Sequence, residues 1–285
     1  SLIMHIYQLC FDWNVIVIND YISVYNAAVC TGVLDIFGFE NFVLNSFPQL
    51  CINFTNESLH NLFIEHVFKL EQEVYVREEV EWNFVSYEDN QHVIDLIEKK
   101  PKGIFPLLDN QWKMGSRGSD ETFLANCEKH LADRKAFVGF GPKNPKLKRG
   151  QFGVVHYAGQ VMYQSKGFLD KNSDAMTLNL EEMVTQASNP FVADLSRWSA
   201  NVPNTANETS AKGGGGGAGK KLSKSSGAGK KKSVSGQFRQ QLVQLMETIE
   251  ETNPSYVRCI KPNSVKRPGV FESKLTLEQL RYAGV

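Results

Sequence analysis

The stretch Leu34-Asp35-Ile36-Phe37-Gly38-Phe39-Glu40 carries the strongest indication of the fold in this sequence. A short apolar run ends there in an acidic residue, and a glycine follows close behind. In α/β proteins, ligands bind beyond the carboxyl ends of strands, so an aspartate at this place is positioned for site chemistry. An ordinary turn from a strand into a loop would leave the same pattern, and the residues alone leave both interpretations open.

A helix is predicted on each side of this stretch. Upstream, the apolar residues 2, 6, 9, 13 and 16 share one helical face. Downstream, Ser46-Phe47-Pro48-Gln49 has the pattern of a capping box, and apolar residues then recur at helical spacing up to Val74. Neither glycine nor proline occurs from Gln49 to Lys100, so this helix can reach about 30 residues, or about 45 Å.

Helices and strands continue to alternate after this helix, which favours an α/β fold with insertions. Ile104–Leu131 is predicted to form a helix–loop–helix, and Phe152–Tyr163 a β-hairpin that turns near Ala158-Gly159. Phe238–Ile249 has the spacing of an amphipathic helix, and Tyr256–Ile260 is predicted to be a strand.

The chain has 285 residues with 31 basic and 31 acidic side chains, but the basic residues are unevenly placed. Seven lysines and no acidic residue lie between Thr209 and Gly236, so the rest of the chain is mildly acidic. This excludes the whole-chain basicity typical of nucleic-acid-binding proteins, and the hydrophobic content of 42% is enough for a core. No apolar run is long enough to span a bilayer, and five scattered cysteines without C-x-x-C spacing indicate reduced thiols.

The basic segment contains two glycine-lysine runs that match a phosphate-binding loop only in part. Such a loop needs a serine or threonine after its lysine to hold Mg²⁺, and a hydrophobic strand before it. Lys221 stands at the hydroxyl position of the first run and Lys231 at that of the second, and neither run follows a strand pattern. A flexible polycation that seeks an acidic surface is the better interpretation.

Several segments, in one consistent order, resemble parts of the myosin motor domain. Leu34–Glu40 is similar to the switch II strand and loop, and Asn45–Glu57 with Leu70–Glu73 is similar to the relay helix. Later segments resemble the hairpin and strut of the lower actin-binding region, the chain after loop 2 and the start of the reactive-thiol helix region; these are His156–Val161, Phe168–Asn172, Ser188–Pro190, Thr252–Pro254, Tyr256–Asn263 and Leu277–Val285. The motifs span essentially the whole chain.

The resemblance implies an α/β architecture, namely a fragment of the P-loop NTPase-type myosin motor fold. In that arrangement residues 1–30 form a helix before switch II, 31–44 the switch II strand and loop, and 45–80 the relay helix. Residues 81–200 form the lower actin-binding subdomain and strut, 201–236 the basic flexible loop 2, and 237–285 a helix, a sheet strand and the start of the thiol helix region.

By the same resemblance the parent protein is an actin-activated ATPase that uses ATP and Mg²⁺. Asp35 would bind Mg²⁺ through water, the Gly38 amide would bond the γ-phosphate, and Glu40 would pair with a switch I arginine. Movement of this loop would tilt the helix from Ser46 onward and so drive a lever. The implied setting is the cytoplasm, on the actin cytoskeleton.

The resemblance also implies a surface for F-actin. Its basic part would be Lys230, Lys231 and Lys232 at the end of loop 2, which would attract acidic actin. The other implied contact residues are Phe105, Leu107, Leu242, Leu245, Met246, Asn253 and Pro254. Phe105 and Leu107 can equally belong to the core, which is the more usual place for such side chains.

Two positions depart from the family pattern, and several family elements have no match. Pro48 stands where the family usually has Glu, and Tyr282 stands where many members have a reactive Cys. The P-loop, switch I, the converter and the light-chain-binding helix are not found, so light chains would bind only through a downstream region. The chain alone is therefore expected to fold poorly and not to hydrolyse ATP.

Two other functions remain open from the sequence. The first is an actin-binding scaffold without ATPase activity, which the presence of Asp35, Gly38 and Glu40 disfavours. The second is a nucleic-acid or anionic-membrane binder, which is disfavoured because the lysines lie on a coil without interleaved aromatic residues.

Overall fold

A computed structural model of the chain describes residues 2–22, 29, 31–83, 87, 89–142, 144–145, 147–173, 183–201 and 233–284. The chain divides into two compact units, one made of Ser1–Asp35 and Asp174–Lys230 and the other of Ile36–Ser173 and Lys231–Val285. Among the described residues, no helix combines the length and the apolar character that crossing a bilayer requires.

Helices dominate both units. In chain order the principal helices are α1 (Leu2–Ile22), α2 (Phe47–Ile64), α3 (Glu71–Arg77), α4 (Gln91–Glu98), α5 (Ile104–Lys113), α6 (Asp120–Leu131), α7 (Phe168–Asn172), α8 (Pro190–Asn201), α9 (Val234–Glu250) and α10 (Ser273–Ala283). Three strands, β1 (Phe137–Val138), β2 (Gln151–His156) and β3 (Gly159–Gln164), form an antiparallel sheet in that order. This mixture of helices with a small sheet agrees with the α/β class at a coarse level.

Contact between α1 and α8 holds the first unit together. Leu9 of α1 is buried with Val184 and Leu195, and Trp13 meets Phe191 edge to face at a centroid distance of 5.9 Å. The helix expected upstream of Asp35 is therefore present, and it ends at Ile22.

Aromatic side chains from several elements form the centre of the second unit. Phe54 of α2 and Phe105 of α5 meet edge to face with centroids 5.4 Å apart. Phe152 of β2 stacks on Tyr163 of β3 and also meets Phe168 of α7. All five side chains are almost completely buried, and burying each contributes about 1.5–3 kcal/mol. This packing fixes α2 against both the hairpin and α5.

Three consecutive segments make one long helix, as the sequence predicts. It begins after Ser46, whose amide donates to Gln49 Oε1 at 2.9 Å, which is one bond of the predicted capping box. A π-helical segment, Glu65–Leu70, carries the chain from α2 into α3, and α3 ends at Arg77.

The hairpin of β2 and β3 is also present where the sequence predicts it. Phe152 pairs with Tyr163 and Val154 with Val161 across the two strands. Alternate side chains of a strand point to the same face, so His156 lies on the buried face with Phe152 and Val154. The hairpin therefore carries a polar ring into the core, opposite α2.

The strand predicted within residues 31–44 and the strand predicted at 256–260 do not form in the described residues, and this part of the prediction is wrong. Both segments are irregular, and Val33 and Val257 are 94% and 83% exposed. A strand needs a neighbour that completes its ladder of hydrogen bonds, and the described sheet contains only β1, β2 and β3.

Four of the five cysteines lie in the described residues, and Cys30 lies outside them. Cys10, Cys51, Cys127 and Cys259 are free. Burial raises the pKa of the Cys51 thiol to about 12, which makes it a poor nucleophile.

Candidate functional site

The loop that holds the predicted catalytic residues is open at its centre and anchored at its end. Asp35 and Gly38 are exposed, and a Cβ added to Gly38 would meet no atom within 4 Å. Phe39 is buried and Glu40 is half-buried. A ligand can therefore approach the Gly38 backbone, while the two following residues attach the loop to the core.

Amide side chains on one face of α2 hold this loop. Asn53 Oδ1 accepts from the Glu40 amide, and Asn53 Nδ2 donates to the Glu40 carbonyl, both at 2.8 Å. One turn earlier, Gln49 Nε2 lies 3.3 Å from Glu40 Oε2, and one turn later Asn56 Nδ2 donates to the Phe37 carbonyl at 3.0 Å. These residues have the spacing i, i+4, i+7 and so form one stripe along the helix.

Sequence reasoning did not find this stripe. A signal was available, because Gln49, Asn53 and Asn56 recur at helical spacing and so share one face of the predicted helix. The structure shows that Asn53 and Asn56 bond main-chain groups of the loop, whereas Gln49 bonds the Glu40 side chain.

A buried chain of polar side chains continues from Asn53 into the core. Asn53 Nδ2 donates to the Tyr163 hydroxyl at 2.8 Å, and that hydroxyl lies 2.8 Å from His156 Nε2. His156 Nδ1 is 2.9 Å from Glu57 Oε1, and Asn90 Nδ2 donates to Glu57 Oε2 at 2.5 Å. Asn53 and Glu57 are 0% exposed, so every one of these bonds is shielded from water.

Glu57 is the acidic end of this chain. Its Oε1 atom also accepts from the Tyr157 amide at 2.9 Å. A buried carboxylate is tolerated only when donors surround it, and here a ring, a main-chain amide and a side-chain amide do so. Glu65, Glu71 and Glu73 further along the helix are exposed, whereas Glu57 is buried because its position faces the hairpin.

Phe39 anchors the loop through its ring. It meets the rings of His156, Tyr157 and Tyr282 at centroid distances of 5.3, 5.6 and 5.4 Å. The Tyr157 hydroxyl donates to the Tyr282 carbonyl at 2.8 Å, and burial raises the pKa of Tyr157. Tyr282 therefore packs against the loop of Glu40.

The residues predicted to contact a filament occupy very different environments. Phe105 is 0% exposed and Leu107 is 6% exposed, which favours the core interpretation and removes both from the described surface. Leu242 is buried as well, because α9 packs against α2 and α5. Leu245, Met246 and Pro254 are half-buried and Asn253 is exposed, whereas Lys230, Lys231 and Lys232 lie outside the described residues.

The start of α9, at Val234, is fixed by a carboxylate of α5. Asp109 of α5 accepts from the hydroxyls of Ser233 and Ser235 at 2.5 and 2.6 Å, and Arg239 Nη2 donates to its other oxygen at 2.5 Å. Asn172 of α7 donates to the same carboxylate at 3.4 Å. This buried cluster ties the first turn of α9 to α5.

Exposed Asp35 and the open backbone at Gly38 fit the Mg²⁺ and nucleotide chemistry that the sequence resemblance implies. Within the described ranges, no group of three or more His, Cys, Asp or Glu side chains could hold a metal. Mg²⁺ usually binds through one or two carboxylates together with water and substrate phosphates, and exposed Asp35 can supply one such carboxylate.

Comparison with known proteins gives one consistent family. A family model described as "Myosin head (motor domain)" matches residues 1–285. Among curated relatives, "Myosin-17" of Arabidopsis thaliana is 41% identical over 281 residues, which is 98% of this chain and 16% of the relative. "Myosin-9" and "Myosin-11" of the same plant are each 43% identical, with 98% of this chain and 16% of the relative covered. The chain thus spans about one sixth of the length of these relatives.

Proposed function

The chain belongs to the myosin head (motor domain) family, and from that premise we propose that it is part of an actin-based motor that couples hydrolysis of Mg-ATP to movement along actin filaments. The observation that carries the proposal is the attachment of the Asp35–Glu40 loop to the long helix. Asn53 and Asn56 of α2 bond the main chain of this loop at two separate residues. A shift of the loop is therefore passed directly to the helix.

In this proposal Leu34–Glu40 is switch II and the helix from Phe47 to Arg77 is the relay helix. Magnesium-bound ATP, when present, supplies the γ-phosphoryl group and neutralises part of its charge. Asp35 would hold the metal through water, and the Gly38 amide would donate to the γ-phosphate from a backbone that no side chain covers. Glu40 would pair with an arginine of the motor and help to order the attacking water.

In this proposal the remaining parts of the chain would form the surface that contacts actin. Residues 81–200 would form the lower actin-binding subdomain and strut, and residues 201–236 loop 2. Lys230, Lys231 and Lys232 would steer the motor toward acidic actin, and exposed Asn253 beside Pro254 would contact the filament. The site of action would be the actin cytoskeleton in the cytoplasm.

An actin-binding scaffold without ATPase activity is the second candidate. The open surroundings of Gly38 speak against it, because a scaffold has no need of a glycine that is free of steric constraint. The fold alone would accept a side chain there.

A chimera tests the proposal against this alternative. This chain replaces the matching segment of the plant relative "Myosin-17", and ATPase rate and actin co-sedimentation are measured with and without ATP. The Gly38→Ala variant should lose about 100-fold or more in ATPase rate, because the amide loses its close approach to the phosphate. Its folding stability and its binding to actin in the absence of ATP should be unchanged.

Gly32→Ala is the matched control, since a Cβ there also meets no atom within 4 Å. It should keep the ATPase rate. A chimera that binds actin but hydrolyses no ATP, even with Gly38 intact, would support the scaffold instead.

A further inference from the structure

The hydrogen bonds that link the Glu40 amide to Glu57 all donate in one direction, because of the number of hydrogens that each group carries. The Glu40 amide can only donate, so its partner atom on Asn53 must be the carbonyl oxygen Oδ1. This fixes the orientation of the Asn53 amide. Its Nδ2 group then has two hydrogens, one for the Glu40 carbonyl and one for the Tyr163 hydroxyl.

The Tyr163 hydroxyl is the next step. It accepts from Asn53 and has one hydrogen of its own to donate. Its other partner is His156 Nε2, 2.8 Å away. Tyr163 therefore donates to Nε2, and Nε2 must carry no hydrogen.

The two ring nitrogens of His156 have different roles in these hydrogen bonds. Because Nε2 accepts, the ring hydrogen of the neutral imidazole is on Nδ1, where it donates to Glu57 Oε1 at 2.9 Å. The Asn90 amide is oriented in the same way, since its Oδ1 accepts from Asn61 and its Nδ2 donates to the Glu57 main-chain oxygen and to Glu57 Oε2. Every donor in this series of hydrogen bonds has an acceptor, and the Glu57 carboxylate accepts the last bond.

The opposite arrangement fails at one atom. If Nε2 carried a hydrogen, the Tyr163 oxygen would accept twice and its own hydrogen would face no acceptor among the described residues. Leaving a buried polar group unpaired costs more than the bond itself contributes, and Tyr163 is 0% exposed.

We propose that Tyr163 and His156 are positioning residues for Glu40, and that they act by fixing the Asn53 amide through a one-directional chain of hydrogen bonds that ends at Glu57. The role of Glu40 in the reaction rests on the proposed function, but the positioning itself does not. Tyr163 lies in the hairpin and Asn53 in α2, so the hairpin acts on the main chain of Glu40 through the Asn53 amide. Removal of the Tyr163 hydroxyl leaves an Asn53 hydrogen and His156 Nε2 without partners.

The first test is made on the chimera introduced above, in which this chain occupies its place in the motor domain, by ¹⁵N NMR of the histidine rings at neutral pH. His156 should show a protonated Nδ1 and an unprotonated Nε2. A ring that carries its hydrogen on Nε2, or on both nitrogens, would overturn the proposal.

The second test measures hydrogen exchange at the Glu40 amide. In Tyr163→Phe this amide should exchange about tenfold faster, because Asn53 is no longer fixed. Tyr157→Phe is the matched control, since its hydroxyl bonds the Tyr282 carbonyl and takes no part in the chain. It should leave the Glu40 amide unchanged.

The Val155 amide serves as an internal reference for the hairpin, because it donates to the Ala136 carbonyl at 2.8 Å. It should keep its protection in Tyr163→Phe. Equal acceleration at Val155 and Glu40 would show a merely structural role and would overturn the proposal. Neither measurement requires ATP or actin, so failure here is distinct from failure of the proposed motor function.

Discussion

The ring of His60 stacks on that of Tyr157, with centroids 4.2 Å apart and planes inclined by 22°. Gly284, at the end of α10, lies against the His60 ring, so close that an added Cβ would overlap that ring. Burial lowers the pKa of His60, the nearby Glu57 raises it and Arg258 lowers it. The neutral ring is therefore the form that the folded state prefers.

This gives a pH dependence of stability with a defined sign. Because the pKa of His60 is lower in the folded than in the unfolded chain, protonation favours unfolding, and stability falls as the pH drops below the ordinary value of 6.5. Urea unfolding between pH 7.5 and 5.5 should show a smaller loss for His60→Gln than for the unmodified chain. Equal losses in both proteins would show that His60 contributes nothing to the pH dependence.

Replacement of Asp109 should have a large effect on the stability of the fold. Asp109→Ala leaves the hydroxyls of Ser233 and Ser235 and the guanidinium of Arg239 without their shared acceptor. Breaking a buried pair of this kind should lower the free energy of unfolding by about 3–5 kcal/mol.

Glu65→Ala is the control for this variant, because the Glu65–Lys69 pair is about half exposed on both sides. Its cost should stay below about 0.5 kcal/mol. Similar urea midpoints for the two variants would contradict the importance assigned to the Asp109 cluster.

Residue types and spacing predict some site residues but not the buried chain. Gly38 and Glu40 belong to a short local motif, so a single stretch of sequence reveals them. Asn53 and Tyr163 are 110 positions apart, and His156 and Glu57 are 99 apart. Nothing local distinguishes such partners, because their contact depends on how α2 packs against the hairpin.

At the scale of elements, the turn between α5 and α6 is controlled by two glycines for different reasons. A Cβ on Gly118 would lie 2.2 Å from the Gln111 carbonyl oxygen, which is main chain and cannot move aside. Gly115 has open space but a φ of +58°, where a Cβ costs about 1–2 kcal/mol.

Gly118→Ala should therefore destabilise the chain more than Gly115→Ala, by at least about 1 kcal/mol. The measurement is urea unfolding followed by circular dichroism, with Gly141→Ala as a control, since it has open space and no positive φ. An equal effect of the first two substitutions would show that the turn relaxes around Gly118.

Helices were easier to predict than strands, and the physical reason is where their hydrogen bonds go. In α4, every apolar residue needed for the core is within the segment itself, and Val93, Leu96 and Ile97 are buried as their spacing indicates. The segment 256–260 has strand-like residues, but its ladder partners would have to come from elsewhere in the chain. The sequence pattern of one segment does not show which other segment would pair with it in a sheet.

At the scale of the whole molecule, the proposed motor function and the uneven charge together predict that the basic segment speeds association with F-actin. Replacing Lys230, Lys231 and Lys232 with alanine should slow association with F-actin severalfold at low salt, and the difference should shrink at physiological salt, where charges are screened beyond about 8 Å. Stopped-flow binding at several salt concentrations measures this.

The matched control replaces the same three lysines with arginine, which keeps the charge. It should bind as fast as the unmodified protein. If the alanine variant kept both the association rate and its salt dependence, loop 2 would act only as a spacer.

The π-helical segment Glu65–Leu70 has a consequence for how the long helix tolerates changes in length. A π turn bonds residue i to i+5, so the segment accommodates about one residue more than regular α-helix would. Deleting one residue there can restore a regular helix while α3 keeps its orientation. A deletion elsewhere would rotate every later side chain by about 100° around the axis. We expect single-residue length differences among relatives to be tolerated in this segment and excluded from the rest of the helix.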